Sequence, residues 1–231
     1  MTNSLLKRIK YHWARTSSKR YIKYMQTNGV KIGKNVIIRE PQNIYIDLTR
    51  PSLITIGNDV VFHRNFSLYT HDFVSGVFLN KYHDFLPSSG KVSIGNNVRF
   101  GINCTVLKGV SIGDNCFIAA GSIVTKDIPA NSIAGGYPAK VLCSLEDYYE
   151  RRKKQCIEEA LEYAQSIRER FNREPKFEDF WEEFPLFVDK TNIDQYPATI
   201  IQKQLGNHYQ NWINAHKAYY NDISDFLKLK K

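Results

Sequence analysis

Ile94 to Val124 reads IGNNVRFGINCTVLKGVSIGDNCFIAAGSIV, and it repeats in sixes. The leaders are Ile94, Phe100, Val106, Ile112, Ile118 and Val124. Most are followed by a small residue: Gly95, Gly101, Gly113, Ala119. Four places on from each leader stand Val98, Cys104, Val110, Cys116, Ser122 and Ile128, all small or apolar. A helix face recurs at about 3.6 residues and a strand face at about 2, so neither makes this pattern. A period of six describes short parallel strands joined by tight corners and stacked as a coil. The leaders point inward, and each turn buries its face only by stacking on the next.

The phase extends backward. Ile56 to Val61 and Phe62 to Ser67 are two more units, and Leu68 leads a third. Leu68 and Ile94 are 26 residues apart, which is not a multiple of six, so one excursion leaves the coil at about 72–91 and returns. Ile32, Ile38 and Ile44 lead earlier, looser units, separated from Ile56 by the non-conforming stretch Asp47 to Ser52.

Two segments carry a resemblance: Ile112 to Pro129, IGDNCFIAAGSIVTKDIP, and Ala134 to Val141, AGGYPAKV. They resemble the hexapeptide-repeat acyltransferases, within them the sugar and xenobiotic O-acetyltransferases. The resemblance covers roughly residues 30–142. It implies a left-handed parallel β-helix, although general chain chirality favours right-handed crossovers. It also implies acetyl-CoA as donor, no metal, and a homotrimer with active sites between subunits. The expected fold is therefore mainly β. A basic helical segment (1–28) precedes the left-handed β-helix (29–142, excursion about 72–91), and an α-helical extension (143–231) follows it.

The chain has 231 residues, 42% of them hydrophobic, and a formal net charge of +9. The charge is uneven. Ten basic residues precede the first acidic one, Glu40, leaving 22 basic and 23 acidic residues after it. Leu5, Leu6, Ile9, Trp13, Tyr21, Ile22 and Tyr24 interleave with the early cations, so 5–25 reads as a basic amphipathic helix interrupted at Ser17-Ser18. Two readings stand: attraction to an anionic membrane surface, or a helix capping the first open turn. No groove-reading motif points to nucleic acid. No apolar run reaches transmembrane length, and Leu5-Leu6 is followed at once by Lys7-Arg8, unlike a signal peptide. Cys104, Cys116, Cys143 and Cys156 show no C-x-x-C spacing, which suits a reduced, cytoplasmic protein. A peripheral contact with the inner membrane face is compatible with it.

Tyr69-Thr70-His71-Asp72 stands where the chain leaves the coil, beside a cleft between wall and loop. The family places its catalytic histidine in such a Thr-His stretch, and the resemblance implies that role for His71. A sugar hydroxyl attacks a thioester only with help, and an imidazole with a pKa near neutrality gives it. Asp72 or a backbone carbonyl would fix the ring tautomer. Further residues are expected at the acceptor: Asp72, His63 after the leader Phe62, Asn65 at a corner, His83 in the excursion, and Arg99. Relatives commonly carry an aromatic residue at the position of Arg99, so a cation there favours an acidic acceptor or an inter-subunit ion pair. Asn65 and Asn103 also suit corners, since asparagine tolerates left-handed backbone.

For the donor, Gly113, Ala119, Ala120 and Gly121 keep a strip of coil surface free of bulk for a thin pantetheine arm, and the resemblance implies Gly101, Asn103, the terminating motif with Pro138, and Lys126 and Lys140 facing phosphates. Hexapeptide corners want small residues in any case. The excursion carries Phe73, Val74, Phe78, Leu79, Tyr82 and Phe85, more apolar surface than an exposed loop needs. In the family this loop reaches the next protomer.

Beyond Leu142 the periodicity becomes helical over Glu146–Phe171, and Pro175 follows. Phe177, Phe180, Trp181, Phe184 and Phe187 form an aromatic cluster, either a core or a stacking platform for glycan. Tyr209 to Leu229 reads as a last helix. The expected function is acetyl transfer to a sugar hydroxyl in surface polysaccharide assembly. The alternatives are an antibiotic or amino-sugar acceptor, and a non-catalytic scaffold. A zinc-dependent coil enzyme is disfavoured, because only His63 and His71 lie on coil positions.

Overall fold

The computed structural model describes residues 2–229, with side chains from residue 5 onward. Two helices open the chain, α1 (Thr2–Ala14) and α2 (Ser18–Thr27). The break between them falls where the serine pair predicts it. Ser17 caps α2, its side chain accepting from the Arg20 backbone N–H at 3.3 Å, a contact type that contributes about 1 kcal/mol.

Four turns of coil follow. The first holds β1 (Lys31–Ile32), β2 (Ile37–Ile38) and β3 (Tyr45–Ile46). The second holds β4 (Ile54–Ile56), β5 (Val61–Phe62) and β6 (Ser67–Leu68), and then the excursion with α3 (Ser75–Tyr82). The third is β7 (Val92–Ile94), β8 (Val98–Phe100) and β9 (Thr105–Val106). The fourth is β10 (Ser111–Ile112), β11 (Cys116–Ile118) and β12 (Ile123–Val124). Each turn contributes one strand to each of three parallel faces: β1-β4-β7-β10, β2-β5-β8-β11 and β3-β6-β9-β12. An antiparallel hairpin, β13 (Ser132–Gly136) and β14 (Ala139–Ser144), ends the second face, with β13 parallel to β11.

The leaders do what the sixfold reading requires. Ile94, Phe100, Val106, Ile112, Ile118 and Val124 are all buried, as are the six residues four places on. Of the earlier leaders Ile38 and Ile44 are buried but Ile32 is only partly so, and Ile46 rather than Ile44 stands in register with Leu68, so the first turn is the looser one. Phe62, Phe66 and Phe100 stack through adjacent turns with ring centroids 4.6–5.3 Å apart. Burying each such ring contributes roughly 1.5–3 kcal/mol.

The corners obey their own chemistry. Asn35, Asp59, Asn97, Asn115 and Asn131 have positive φ at the first corner. Their side chains bond upward, Asn97 Nδ2 to Asn115 Oδ1 at 2.9 Å and Asn115 Nδ2 to Asn131 Oδ1 at 3.0 Å. A Cβ at Gly101 would lie 2.5 Å from the Ala120 backbone nitrogen, so stacking of turns excludes any side chain there.

The open first turn is covered by the N-terminal segment. Tyr21 and Met25 of α2 are buried in the coil's own core cluster, with Ala14 of α1. Ser18 Oγ accepts from the Ile38 N–H at 2.9 Å, and the Arg15 guanidinium donates to the carbonyls of Pro41 and Ile44. The capping reading of this segment is therefore realised in α2.

The chain divides into compact units at 1–148 and 149–231, inside α4 (Leu145–Phe171). The second unit adds α5 (Ala198–Leu205), α6 (Tyr209–Ala215) and α7 (Ile223–Leu227). Its core holds Ala160, Ala164, Phe177, Phe180, Phe184, Phe187 and Phe226. Four rings of the aromatic cluster are thus buried, which overturns the stacking-platform reading for them; Trp181 alone is exposed. The single helix expected over Tyr209–Leu229 is also broken. His216 is extended, its Nε2 paired with the Pro185 carbonyl at 2.7 Å, and the Tyr219 and Tyr220 N–H groups donate to the Leu186 carbonyl. Asp222 then caps α7, accepting from the Asp225 N–H at 2.7 Å. Tertiary hydrogen bonds outweigh the periodic apolar spacing here.

Candidate active site

The third corner, where each turn returns from the third face to the first, is the most irregular. Its first-turn segment holds the non-conforming stretch Asp47 to Ser52. Its second-turn segment is the excursion. Strand pairing of β3 with β6 puts these two departures one above the other. The Asp47 N–H donates to the Leu68 carbonyl at 2.9 Å, and the Asp47 side chain lies under Thr70 and His71.

Asp47 is fully buried and saturated with donors. Oδ1 accepts from the Thr49 hydroxyl at 2.6 Å and the Thr49 N–H at 3.1 Å. Oδ2 accepts from the Thr70 N–H at 3.0 Å and the Thr70 hydroxyl at 2.5 Å, and lies 2.6 Å from His71 Nδ1. Burial alone raises the pKa of this carboxyl, but the bonds from Thr49 and Thr70 outweigh it and hold the group well below the carboxylate range. An ionised carboxylate only accepts, so Nδ1 carries a proton, and in the neutral ring the lone pair is then on Nε2. Among the described residues Nε2 has no partner, and the His71 side chain is 13% exposed. Phe73 stands edge-on to the ring at 5.0 Å between centroids and is 80% exposed.

The tautomer-fixing role expected of Asp72 is therefore corrected. The Asp72 carboxylate pairs with Lys108 Nζ at 2.7 Å and accepts from the Ser88 hydroxyl at 2.9 Å and the Val74 N–H at 3.1 Å. These bonds, Lys108 first, lower its pKa to about 2. Asp72 fastens the root of the excursion to the next turn, beside the Gly90 N–H bond to the Thr70 carbonyl.

The other expected residues distribute over different edges. Lys126 lies at the third corner of the fourth turn, on the same edge as His71, Asp72 and Lys108. Asn65 and Asn103 lie at the second corner with positive φ of 59° and 60°, joined by Asn65 Nδ2 to Asn103 Oδ1 at 2.8 Å. Gly101, Ala119, Ala120 and Gly121 share that second corner, whereas Gly113, read from sequence as part of the same bulk-free strip, is at the first. His63 is half-buried there; burial, then Arg39 and Arg99, depress its pKa. Arg99 is exposed on the second face. His83 ends α3 in left-handed backbone and is exposed. Pro138 and Lys140 are exposed on the terminal hairpin. Within the chain the full width of the third face thus separates the second-corner group from His71.

Residues 91–126 match the family described as the hexapeptide repeat of succinyl-transferase. The coil is a parallel β-helix built on hexapeptide repeats. The chain is similar to the galactoside O-acetyltransferase of Escherichia coli K12, 37% identical over 125 residues, covering 52% of this chain and 56% of that protein. It is 45% identical over 100 residues to protein CapG of Staphylococcus aureus, covering 43% of this chain and 58% of that protein. Its fold also aligns with a galactoside acetyltransferase solved in complex with coenzyme A, at 26% identity and a TM-score of 0.47, covering 64% of this chain and 82% of that one. The chain spans a little over half the length of these curated relatives. Among the described residues no group of three or more His, Cys, Asp or Glu could hold a metal ion, and no helix is long and apolar enough to cross a membrane.

The residue that reasoning from sequence missed is Asp47. Its only signal was position: an acid directly after Ile46, opening an early stretch that breaks phase.

Proposed function

We propose that the protein is an acetyl-CoA-dependent O-acetyltransferase acting on a hydroxyl of a sugar, with His71 as general base and Asp47 as the residue that orients it. The observation that carries this reading is the 2.6 Å contact of His71 Nδ1 with the buried Asp47 carboxylate, leaving Nε2 free at the coil edge. His71 Nε2 takes the hydroxyl proton as the sugar oxygen attacks the thioester carbonyl. The same proton passes to the departing thiolate, leaving an acetyl ester and the free thiol. Asp47 holds the ring through both transfers and stabilises the transient imidazolium. A base so placed contributes about 10²–10⁴-fold.

The thioester supplies the activated acetyl group. Lys126 and Lys140 suit its phosphates, since both are exposed and neither is ion-paired among the described residues. Gly101, Asn103, Ala119, Ala120 and Gly121 belong to the second corner. That corner meets His71 only if another copy supplies it, so the reading includes a homotrimer with shared sites. The exposed Phe73, Val77, Tyr82 and Phe85 of the excursion support a covered loop. The similarity to a galactoside O-acetyltransferase supports a carbohydrate acceptor, and we assign its setting to surface polysaccharide assembly. Asp72, His63, Asn65, His83 and Arg99 remain acceptor candidates, with Arg39 and Arg99 favouring an acidic sugar.

The test is thiol release from acetyl-CoA across a panel of neutral, acidic and amino sugars, for wild type and His71→Ala. The reading expects activity on a hydroxyl acceptor that collapses in the variant. Undiminished activity in His71→Ala would remove the base and favour an amine acceptor.

A further inference from the structure

Helix α1 has two apolar sides. One faces the fold: Ala14 is buried in the coil core, and Tyr11 packs beside it with its ring 6.3 Å from Tyr21 and 5.8 Å from Tyr24. The other side carries Leu5, Ile9 and Trp13 at steps of four, widened by Leu6. Ile9 and Trp13 stand two positions on either side of Tyr11, which puts them on the opposite flank of the helix. The fold leaves that stripe uncovered: Leu5 is 62% exposed, Leu6 55%, Ile9 55% and Trp13 60%.

Cations border it. Arg8 and His12 lie along one margin and Lys10 along the other, with Lys7 farther round toward the groove between α1 and α2. Among the described residues none of Lys7, Arg8 and Lys10 is paired with an acidic side chain. Beyond the Lys10 margin, a groove of about 1250 Å³ between α1 and α2 is lined by Lys7, Lys10, Lys19, Arg20 and Lys23, with no acidic residue in its lining. The Arg20 guanidinium lies over the Trp13 ring at 4.6 Å, linking stripe and groove.

We infer that α1 docks on the surface of an anionic lipid leaflet, with Leu5, Leu6, Ile9 and Trp13 in the acyl boundary and the flanking cations on the headgroups. The charge decides the occupant. A second copy of the chain would bring the same unpaired cations against these, whereas an anionic leaflet neutralises them while taking the apolar stripe out of water. Because α2 caps the coil and α1 packs on α2, the anchor is fixed to the catalytic unit rather than tethered by a linker. The inference stands apart from the acetyl-transfer reading, since its readout is partition and not turnover.

The experiment is flotation of the full chain with phosphatidylglycerol-containing vesicles and with pure phosphatidylcholine vesicles. The proteins are wild type, L6E/I9E, and K7Q/R8Q/K10Q. Both variants alter exposed side chains, and circular dichroism checks that each retains its fold. Wild type is expected to float with the anionic vesicles and, at low salt, to lose on the order of a hundredfold in partition when the three cations are neutralised. L6E/I9E is expected to stay in solution with both. Equal flotation of wild type and L6E/I9E, failure of wild type to bind anionic vesicles, or equal binding to neutral ones would overturn the inference. So would lipid-free light scattering in which wild type is a larger assembly than L6E/I9E, which would make the stripe an interface between copies.

Discussion

The two edges of the third coil face make opposite use of the same fold. The second corner keeps the six-residue rule in the second, third and fourth turns and departs from it only in the first, where a 3₁₀ turn at Pro41–Asn43 adds two residues. It is built from residues that the rule demands, Asn65 and Asn103 in left-handed backbone and Gly101 under the Ala120 nitrogen. The third corner breaks the rule twice, at 47–53 and at 71–91, and the two breaks stack so that Asp47 meets His71. Periodic corners spend their side chains on holding turns together. An aperiodic corner frees side chains for a pair that no repeat requires, and such a pair needs a chemical reason.

The sharpest way to break this comparison is at His71. His71→Ala is expected to lower kcat/KM for acetyl transfer by about 10²–10⁴-fold. Thermal stability should change little, because the ring sits at the coil edge; kinetics and a melting curve on one preparation check both.

Next in size is the periodic wall itself. Phe100→Ala removes a fully buried ring packed against both Phe62 and Phe66 and is expected to cost about 3–5 kcal/mol in denaturant unfolding. Residual folded enzyme should keep wild-type KM values. A loss of stability as large from His71→Ala would erase the distinction between the two kinds of corner.

At the second corner, Asn103→Ala places a Cβ-bearing residue other than asparagine at a φ of 60° and removes the bond from Asn65. The expected cost is about 1–2 kcal/mol. Asn103→Gly, which tolerates that backbone, should recover part of it. Equal costs for the two would show that the side-chain bond and not the corner conformation sets the choice.

The smallest effect is pH-dependent and belongs to the excursion root. Asp72 has a pKa lowered from 3.8 to about 2 by Lys108 and its neighbours. A depressed carboxylate gives its full stabilisation above the ordinary pKa and loses it as pH falls toward the folded value. Hydrogen-exchange protection near the His71–Ser89 bridge should therefore fall between pH 3.8 and about 2, and in Asp72→Asn it should be low throughout.

What the sequence disclosed follows the same division. The leaders from Ile94 to Val124 announce the coil because burial recurs at a fixed step, and His71 stood out because it sits where that step fails. Asp47 was illegible for the opposite reason. Its pairing crosses 24 residues through an irregular corner, and an acid in a non-repeating stretch gives no local sign of what lies above it. Asp72, adjacent in the chain, looked like the natural partner, but it points to the next turn and takes Lys108. The second unit misled in another way. Apolar spacing over Tyr209–Leu229 reports burial, and burial there is achieved by two short helices around a bend held by the carbonyls of Pro185 and Leu186. The buried Phe177, Phe180, Phe184 and Phe187 show that an aromatic cluster flanked by acids is first of all a core.

The central claim is that Asp47 makes His71 a base. Its most direct measurement is the steady-state kinetics of Asp47→Asn beside wild type, with kcat and both KM values resolved. An amide in place of the carboxylate can no longer hold the Nδ1 proton as an anion does, and it no longer stabilises the imidazolium. The account predicts a fall in kcat of on the order of 10²-fold or more, a KM for acetyl-CoA within about threefold of wild type, and a protein that still folds. A kcat close to that of wild type would contradict it, and would return Asp47 to the role of a buried residue that only closes a corner.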